Sequence, residues 1–374
     1  MRQITLIQVG FGTVGGAVIE QVVEQRQRWQ QERGIDVVFG AVGGQEGAVV
    51  AADAGGIPAA RLQTLVAGRR AGQRLGALDT TPLVPLSEAI AAACANGATI
   101  VLDAAAGEAT AALGAEALRA GAGLVMSNKA PLALPSESSV TELLWSAASQ
   151  ATHLRYEATC GAGLPVISSL RSLLATGDEV VEIQGALSGT LGAIFADLAA
   201  GSSFSDAVRD AKQRGYTEPD PRDDLSGLDV ARKALILART IGRRIDLSDI
   251  EIESLVPDHL QSVSFDAFLD QISELDANFA DRADGARSTN ATLKYVATVT
   301  PTDKLSVGVR EIPTTGVLGA LQGPENVISI RTRRYDAYPM TIVGPGAGAG
   351  VTAAGMISDV LALSSSGLGA DARR

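Results

Sequence analysis

The chain has 374 residues, more than one ordinary hydrophobic core accommodates, so two domains are expected. Its 31 Lys and Arg stand against 42 Asp and Glu, a net charge of -11 that repels phosphate backbones and anionic lipid, which excludes nucleic acid and membrane surfaces as partners and leaves a small polar metabolite. No apolar run approaches the roughly 20 residues that cross a bilayer, and Met1-Arg2-Gln3-Ile4 enters a strand-like segment directly, so a cytoplasmic protein is expected. Cys94, Cys160, His153 and His259 are too few for a disulfide framework or a structural zinc site, so any metal has to be held by oxygen.

The first third alternates strand and helix patterns. Strands are predicted near Gln3–Val9, Asp36–Val42, Thr99–Asp103, Gly123–Ser127 and His153–Ala158. Helices are predicted near Val14–Gln30, Glu88–Ala95, Thr110–Ala120 and Ser138–Ser149, with Gly34, Gly97 and Gly121 where a left-handed C-terminal cap is wanted. This alternation is the pattern of a mostly parallel sheet covered by helices, an α/β Rossmann-type nucleotide-binding domain. The stretch Gly43–Pro82 has weak periodicity and reads as short helices and loops.

Beyond residue 160 the texture changes. A helix starts at Pro165 and ends near Gly177, the strand-like Glu179–Leu187 follows, and Ser226–Ile241 is strongly helical with Ser226 as its N-cap. Ala291–Thr300, Leu305–Glu311 and Val327–Tyr335 are β-branched runs joined without crossover helices, which implies an α+β second domain with an antiparallel or mixed sheet, the domain to which the resemblance given below assigns catalysis and dimerisation. Met340–Leu363 reads as a strand, a glycine loop and a helix returning to the first domain. The expected division is therefore 1–150 completed by 340–365, then 151–339, with 366–374 as a frayed tail.

Two segments carry chemistry. Ile4, Leu6, Ile7 and Val9 lead into Gly10-Phe11-Gly12-Thr13-Val14-Gly15 and then a helix. In that context the first glycine permits a tight turn, the second admits a pyrophosphate to the backbone and the third lets helix and strand pack, so dinucleotide binding is expected. The second strand ends Val42-Gly43-Gly44 without the acid that would bind the ribose of NAD, while Arg69 or Arg70 could meet a 2′-phosphate. NAD and NADP both remain open, with a lean to NADP.

The other segment is Gly215-Tyr216-Thr217-Glu218-Pro219-Asp220-Pro221-Arg222-Asp223-Asp224-Leu225-Ser226-Gly227-Leu228-Asp229-Val230-Ala231-Arg232-Lys233. Two prolines stiffen an acidic loop, and Asp229 and Lys233 share one face of the following helix. The acids could bind a substrate ammonium and the lysine could exchange a proton with a reacting oxygen. The alternative is a solvated helix pair contributing about 0.3–0.5 kcal/mol beside a loop that is acidic for solubility.

This stretch resembles the homoserine dehydrogenase signature over its whole length. Ser127-Asn128-Lys129-Ala130-Pro131, Tyr156-Glu157-Ala158-Thr159-Cys160-Gly161-Ala162-Gly163-Leu164-Pro165, Leu187-Ser188-Gly189-Thr190 and Gly344-Pro345-Gly346-Ala347-Gly348-Ala349-Gly350 resemble the family in the same order. The resemblance implies NAD(P)-dependent interconversion of L-aspartate 4-semialdehyde and L-homoserine in threonine and methionine biosynthesis, in a short, single-activity homodimer. It implies Lys233 as principal proton donor and acceptor, Asp229 as the residue that orients homoserine, and Lys129 near the nicotinamide and the reacting carbon. By the same resemblance Glu218, Asp224, Thr190 and Gly189 bind substrate, and Gly10, Phe11, Gly12, Thr13, Val14, Gly15, Ala105, Lys129, Gly215 and Gly346 bind the cofactor. It also implies a monovalent cation, Na or K, held by Glu157 and the backbone carbonyls of Cys160, Ala162 and Leu164. One departure is Ala104-Ala105-Ala106, where the family usually offers a hydroxyl residue.

Two other readings differ in chemistry. An aldehyde-oxidising semialdehyde dehydrogenase needs a thiolate, for which Cys160 is the candidate, but no histidine is placed in sequence to activate it. A nucleotide-binding sensor without chemistry is expected to lack the lysines that Lys129 and Lys233 supply.

Overall fold

In the computed structural model, which describes residues 1–79, 81–150 and 153–365, the chain forms two compact units. One comprises Met1–Gly163 and the segment from Ala347 onward, and the other Leu164–Gly346. The tail expected at 366–374 lies outside the described residues. Among those residues no helix is long and apolar enough to cross a membrane.

The first unit is built on six strands, β1 (Arg2–Val9), β2 (Ile35–Gly44), β3 (Gly47–Val50), β4 (Thr99–Asp103), β5 (Gly123–Met126) and β6 (Leu154–Arg155). Their order is β3-β2-β1-β4-β5-β6, parallel throughout except for β3, which folds back on β2 as a hairpin. That hairpin lies in Gly43–Pro82, where only short helices and loops were expected, followed by helices Ala59–Arg70 and Leu75–Leu78. Val49 and Val50 give too short an apolar run for periodicity to reveal a strand, and pairing with β2 decides it. The chain reverses direction of winding between β1 and β4, the topological switch point at which open α/β sheets bind ligands beyond the carboxyl ends of their strands.

Helices Thr13–Arg33, Leu86–Asn96, Ala111–Arg119 and Ser139–Gln150 match the predicted ones closely. Gly34 ends the first in the left-handed conformation, φ 65°, and Gly121 follows the third at φ 81°, but Gly97 at φ 148° and ψ -162° is not a left-handed cap. The expected strand at His153–Ala158 is cut to β6 because Glu157–Thr159 turns into a 3₁₀ helix. The last helix, Ala349–Ser365, buries Ala353, Met356, Val360 and Leu363 in the same core as Ile4, Leu6, Val18 and Ile100, which is why the chain returns to this unit. Each such large side chain contributes about 1.5–3 kcal/mol by leaving water.

The second unit holds β7 (Val180–Ala186), β8 (Glu251–Ile252), β9 (Ala291–Val299), β10 (Ser306–Pro313), β11 (Glu325–Thr332) and β12 (Met340–Pro345), ordered β12-β11-β7-β9-β10-β8. All neighbours are antiparallel except β8 and β10, so the sheet is mixed as expected. β12 belongs here and not with the first unit: Asn326↔Gly344 and Ile328↔Ile342 pair it to β11, so the return begins at Ala347 and not at residue 340. The first boundary likewise falls after Gly163 instead of at residue 150. Phe204 stacks on Phe279 at 4.0 Å and Phe195 meets Phe279 edge-on, fixing helices Gly189–Ala199, Phe204–Gln213 and Asp276–Ser288 together.

Candidate active site

The glycine loop follows β1 as the motif requires. Gly10 has φ 82°, and a Cβ built there would lie 2.4 Å from the backbone nitrogen of Ala105, so the loops after β1 and β4 touch through backbone alone. A Cβ at Gly15 would lie 2.1 Å from the Gly10 carbonyl, whereas one at Gly12 would meet nothing within 4 Å. Gly12 therefore opens onto free space at the N-terminus of helix Thr13–Arg33, the place a phosphate occupies. Thr13 is exposed and Val14 half-buried, while Phe11 is 7% exposed and sits in the core, leaving only its backbone for a ligand. Gln8, not singled out by the sequence, is fully buried and donates its amide to the Gly10 carbonyl at 3.0 Å, bracing the turn from below.

At the end of β2 no acid appears, and Gly43 instead accepts the Gly10 N–H at 3.0 Å. Arg70 is held in a two-pronged pair with Glu20, both contacts 2.7 Å, Arg69 donates to the Gln73 carbonyl, and Glu46 lies 3.8 Å from Arg74. Lys129, half-buried, precedes the 3₁₀ turn Ala130–Ala133 and follows Asn128, which is buried.

Glu157 is 6% exposed, and its N–H is held by the Asp359 carboxylate at 2.8 Å, a contact from the last helix that the sequence did not suggest. Gly161 at φ 86° and Ala162 at φ 54° are consecutive left-handed residues; for a non-glycine such as Ala162 that conformation costs on the order of 1 kcal/mol. The Leu164 carbonyl accepts the Val166 N–H at 2.8 Å. Cys160 is 0% exposed, and a thiol sealed from solvent cannot attack an aldehyde, which removes the support for a thiolate mechanism.

In the second unit the acidic segment folds into a short helix, Pro221–Leu225, and then the helix Leu228–Thr240. Ser226 ends the former and does not N-cap the latter; that position falls to Gly227 at φ 74°, although the Ser226 hydroxyl still accepts the Leu228 N–H at 3.3 Å. A side chain at 227 would run into the Tyr295 hydroxyl, 1.9 Å from a built Cβ, and that hydroxyl donates to the Glu253 carbonyl. Arg222 pins the turn: it pairs with Asp220, donates to the Val263 carbonyl at 2.7 Å and to the Leu260 and Gln261 carbonyls, and its hydrogen bond holds the Asp220 carboxyl below the usual range.

Ala231, Leu235 and Ala238 are buried as the helical spacing predicts. On the other face Lys233 is 7% exposed, its Nζ 2.8 Å from Asp229 Oδ2 and 2.6 Å from the Leu187 carbonyl to which it donates. A buried ammonium of this kind is not the solvated pair that the spacing alone allowed. Leu187 ends β7's run into Ser188, whose hydroxyl caps the helix Gly189–Ala199, and this helix carries Thr190 inward. The Thr190 hydroxyl lies 2.5 Å from the Tyr216 carbonyl and 2.9 Å from Asp224 Oδ1, while Asp224 Oδ2 accepts the Glu218 N–H at 2.8 Å. Burial raises the Asp224 carboxyl, and the neighbouring Glu218 and Asp229 charges push it the same way. Lys233, Asp229, Asp224, Thr190 and Glu218 are thus drawn together in one unit, with Gly189 beside the Pro324 carbonyl, exposed Gly215 leading into Tyr216, and Gly346 against the Asn326 side chain. The Leu187 and Tyr216 carbonyls carry no sequence signal, since backbone acceptors are chosen by the fold.

Residues 165–361 match the homoserine dehydrogenase family and residues 10–157 match the homoserine dehydrogenase NAD binding domain. The homoserine dehydrogenase of Emericella nidulans is 40% identical over 292 residues, 75% of this chain and 79% of its own length. The bifunctional aspartokinase/homoserine dehydrogenase 1 of Zea mays is 47% identical over 216 residues, 57% of this chain, and the match spans only 24% of that relative. Among solved structures, a Candida auris protein of unknown function has TM-score 0.83 at 31% identity, covering 97% of this chain and 98% of its own. A hyperthermophilic archaeal homoserine dehydrogenase in complex with NADPH shares the fold, with TM-score 0.72 and 22% identity over 97% of this chain and 98% of its own. With both halves matched and the acidic turn folded around a buried lysine, the chain belongs to the homoserine dehydrogenase family.

Proposed function

We propose that the chain interconverts L-aspartate 4-semialdehyde and L-homoserine with a nicotinamide cofactor. The observation that carries this reading is the burial of Lys233 between the Asp229 carboxylate and the Leu187 carbonyl, in a cluster that also holds Asp224, Glu218 and the Thr190 hydroxyl. The Gly10–Gly15 turn, with the Ala105 backbone and Lys129, would hold the cofactor, which when bound supplies hydride. Glu218 and Asp224 bind the ammonium of the amino acid, with Thr190 and Gly189 setting its place. Lys233, oriented by Asp229, gives a proton to the oxygen that gains charge as the aldehyde is reduced and takes it back in the reverse direction; its positive charge also stabilises that oxygen.

NADP is favoured over NAD because the end of β2 offers no carboxylate to a ribose hydroxyl, and a structural neighbour binds NADPH. A monovalent cation, Na or K, suits Glu157 with the carbonyls of Cys160, Ala162 and Leu164: the set is oxygen only, its carboxylate is buried, and the left-handed Ala162 is a conformation that needs a return. A homodimer is favoured by edge strand β12 and the exposed Val343, Tyr335 and Tyr338 along and before it. Neither Cys94 nor Cys160 is in a disulfide, which fits a reducing cytoplasm.

The deciding assay is loss of absorbance by NADPH and by NADH, each with aspartate semialdehyde. Faster oxidation of NADPH is expected; no oxidation of either would overturn the function. Sedimentation as a monomer at micromolar concentration would overturn the dimer.

A further inference from the structure

Asp103 ends β4 at the switch point and is 3% exposed. Its Oδ1 accepts the Ala105 N–H at 3.0 Å, and its Oδ2 accepts the Thr110 hydroxyl at 2.6 Å and the Asn128 amide at 3.3 Å. The Asn128 amide also reaches the Thr110 hydroxyl at 3.1 Å and the Gly107 carbonyl at 2.8 Å, while its oxygen accepts the Ala130 N–H at 3.2 Å. Even the Asp103 carbonyl is used, accepting the Ser127 N–H at 2.9 Å. The two protons of the Asn128 amide are shared among three acceptors, while the Ala105 N–H and the Thr110 hydroxyl both donate to Asp103, an arrangement that suits an acceptor-only carboxylate.

Among the described residues no cation pairs with Asp103, and burial pushes its carboxyl up. Burying a carboxylate without a countercharge is costly, and here three neutral donors offset that cost. What the carboxylate does achieve is geometric. It ties the loop after β4, whose Ala105 abuts Gly10, to the loop after β5, whose next residue is Lys129. The hydroxyl side chains that Ala104, Ala105 and Ala106 lack leave this tie as the polar organiser of the loop.

We propose that Asp103, through Thr110 and Asn128, is a positioning residue that sets Lys129 and the Ala105 backbone for the nicotinamide end of the cofactor. The inference rests on the reading of Lys129 as a residue of the cofactor site.

Asp103→Asn replaces one acceptor with a donor that faces the Asn128 amide, and Thr110→Val removes the hydroxyl while Thr110→Ser keeps it. Each is made in the native chain and in a Lys129→Ala background, with kcat, KM for homoserine and the Kd of NADPH read by its fluorescence without substrate. Asp103→Asn is expected to lower kcat about tenfold or more and weaken NADPH about fivefold, with KM for homoserine within about twofold. Thr110→Val does the same to a lesser degree and Thr110→Ser restores native values. In the Lys129→Ala background Asp103→Asn costs clearly less in kcat than in the native chain, since only the part of its effect carried by the Ala105 backbone remains.

Equal fold losses in both backgrounds, or native kcat and Kd in Asp103→Asn, would overturn the proposal while leaving the site reading intact. Full turnover of Lys129→Ala alone would overturn both. If thermal melting shows Asp103→Asn unfolded, the Thr110 pair decides by the same criteria.

Discussion

The glycine loop of the first unit and the acidic turn of the second are built by opposite means. At Gly10 and Gly15 the decisive property is a missing Cβ: backbone atoms lie where any side chain would begin, and nothing in the turn is ionised. At the acidic turn the decisive property is charge held in a small space, with Lys233 buried against Asp229 and the Asp224 carboxyl raised by burial and by its acidic neighbours. The first should be intolerant of volume and indifferent to pH, and the second tolerant of isosteric change and sensitive to charge.

The largest effect that would sharpen this contrast comes from Lys233. Lys233→Ala is expected to lower turnover by about a hundredfold or more while the Kd of NADPH stays within about twofold, as for removal of an acid/base group. Turnover equal to that of the native chain would break the assignment. For the glycine loop, Gly15→Ala should destabilise by about 1–3 kcal/mol through overpacking and weaken NADPH at least about tenfold, whereas Gly12→Ala should weaken NADPH with little change in melting temperature. Comparable melting of both variants would show that the open space at Gly12 and the closed space at Gly15 do not matter.

A smaller effect is expected at Arg222. Arg222→Ala removes the bonds to Asp220 and the Val263 carbonyl and should raise KM for homoserine about tenfold with kcat nearly unchanged, because it loosens the turn without touching Lys233. The reverse pattern, a fall in kcat at constant KM, would place Arg222 in the chemistry. The smallest effect is in pH. Burial raises the Asp224 pKa above the ordinary carboxylate value, so the neutral form, which binds an ammonium poorly, is reached first on acidification. KM for homoserine should therefore begin to rise at a pH above that of an ordinary carboxylate, and Asp224→Asn should abolish that rise; an unchanged profile would break the argument.

Much of this was legible in residue order. The run Ile4–Val9 into Gly10–Gly15, the four spacing between Asp229 and Lys233, and the β-branched strands of the second half are local patterns, and the elements they predict are present. Ser226 was misread because the left-handed Gly227 and its contact with Tyr295 come from a strand 68 residues later. The β2–β3 hairpin and the placement of β12 were missed because strand pairing is decided by partners and not by the segment itself.

What the sequence by itself determined is therefore the order of elements, the glycine turn after β1 and the acidic segment with its Asp229 and Lys233 pair, since these depend on period, on missing side chains and on charge. Only the tertiary structure decided that Lys233 is enclosed, that Leu187 and Tyr216 lend their carbonyls, and that Asp103 links two loops. Burial and backbone hydrogen bonding are properties of neighbours brought from distant parts of the chain, and no local pattern records them.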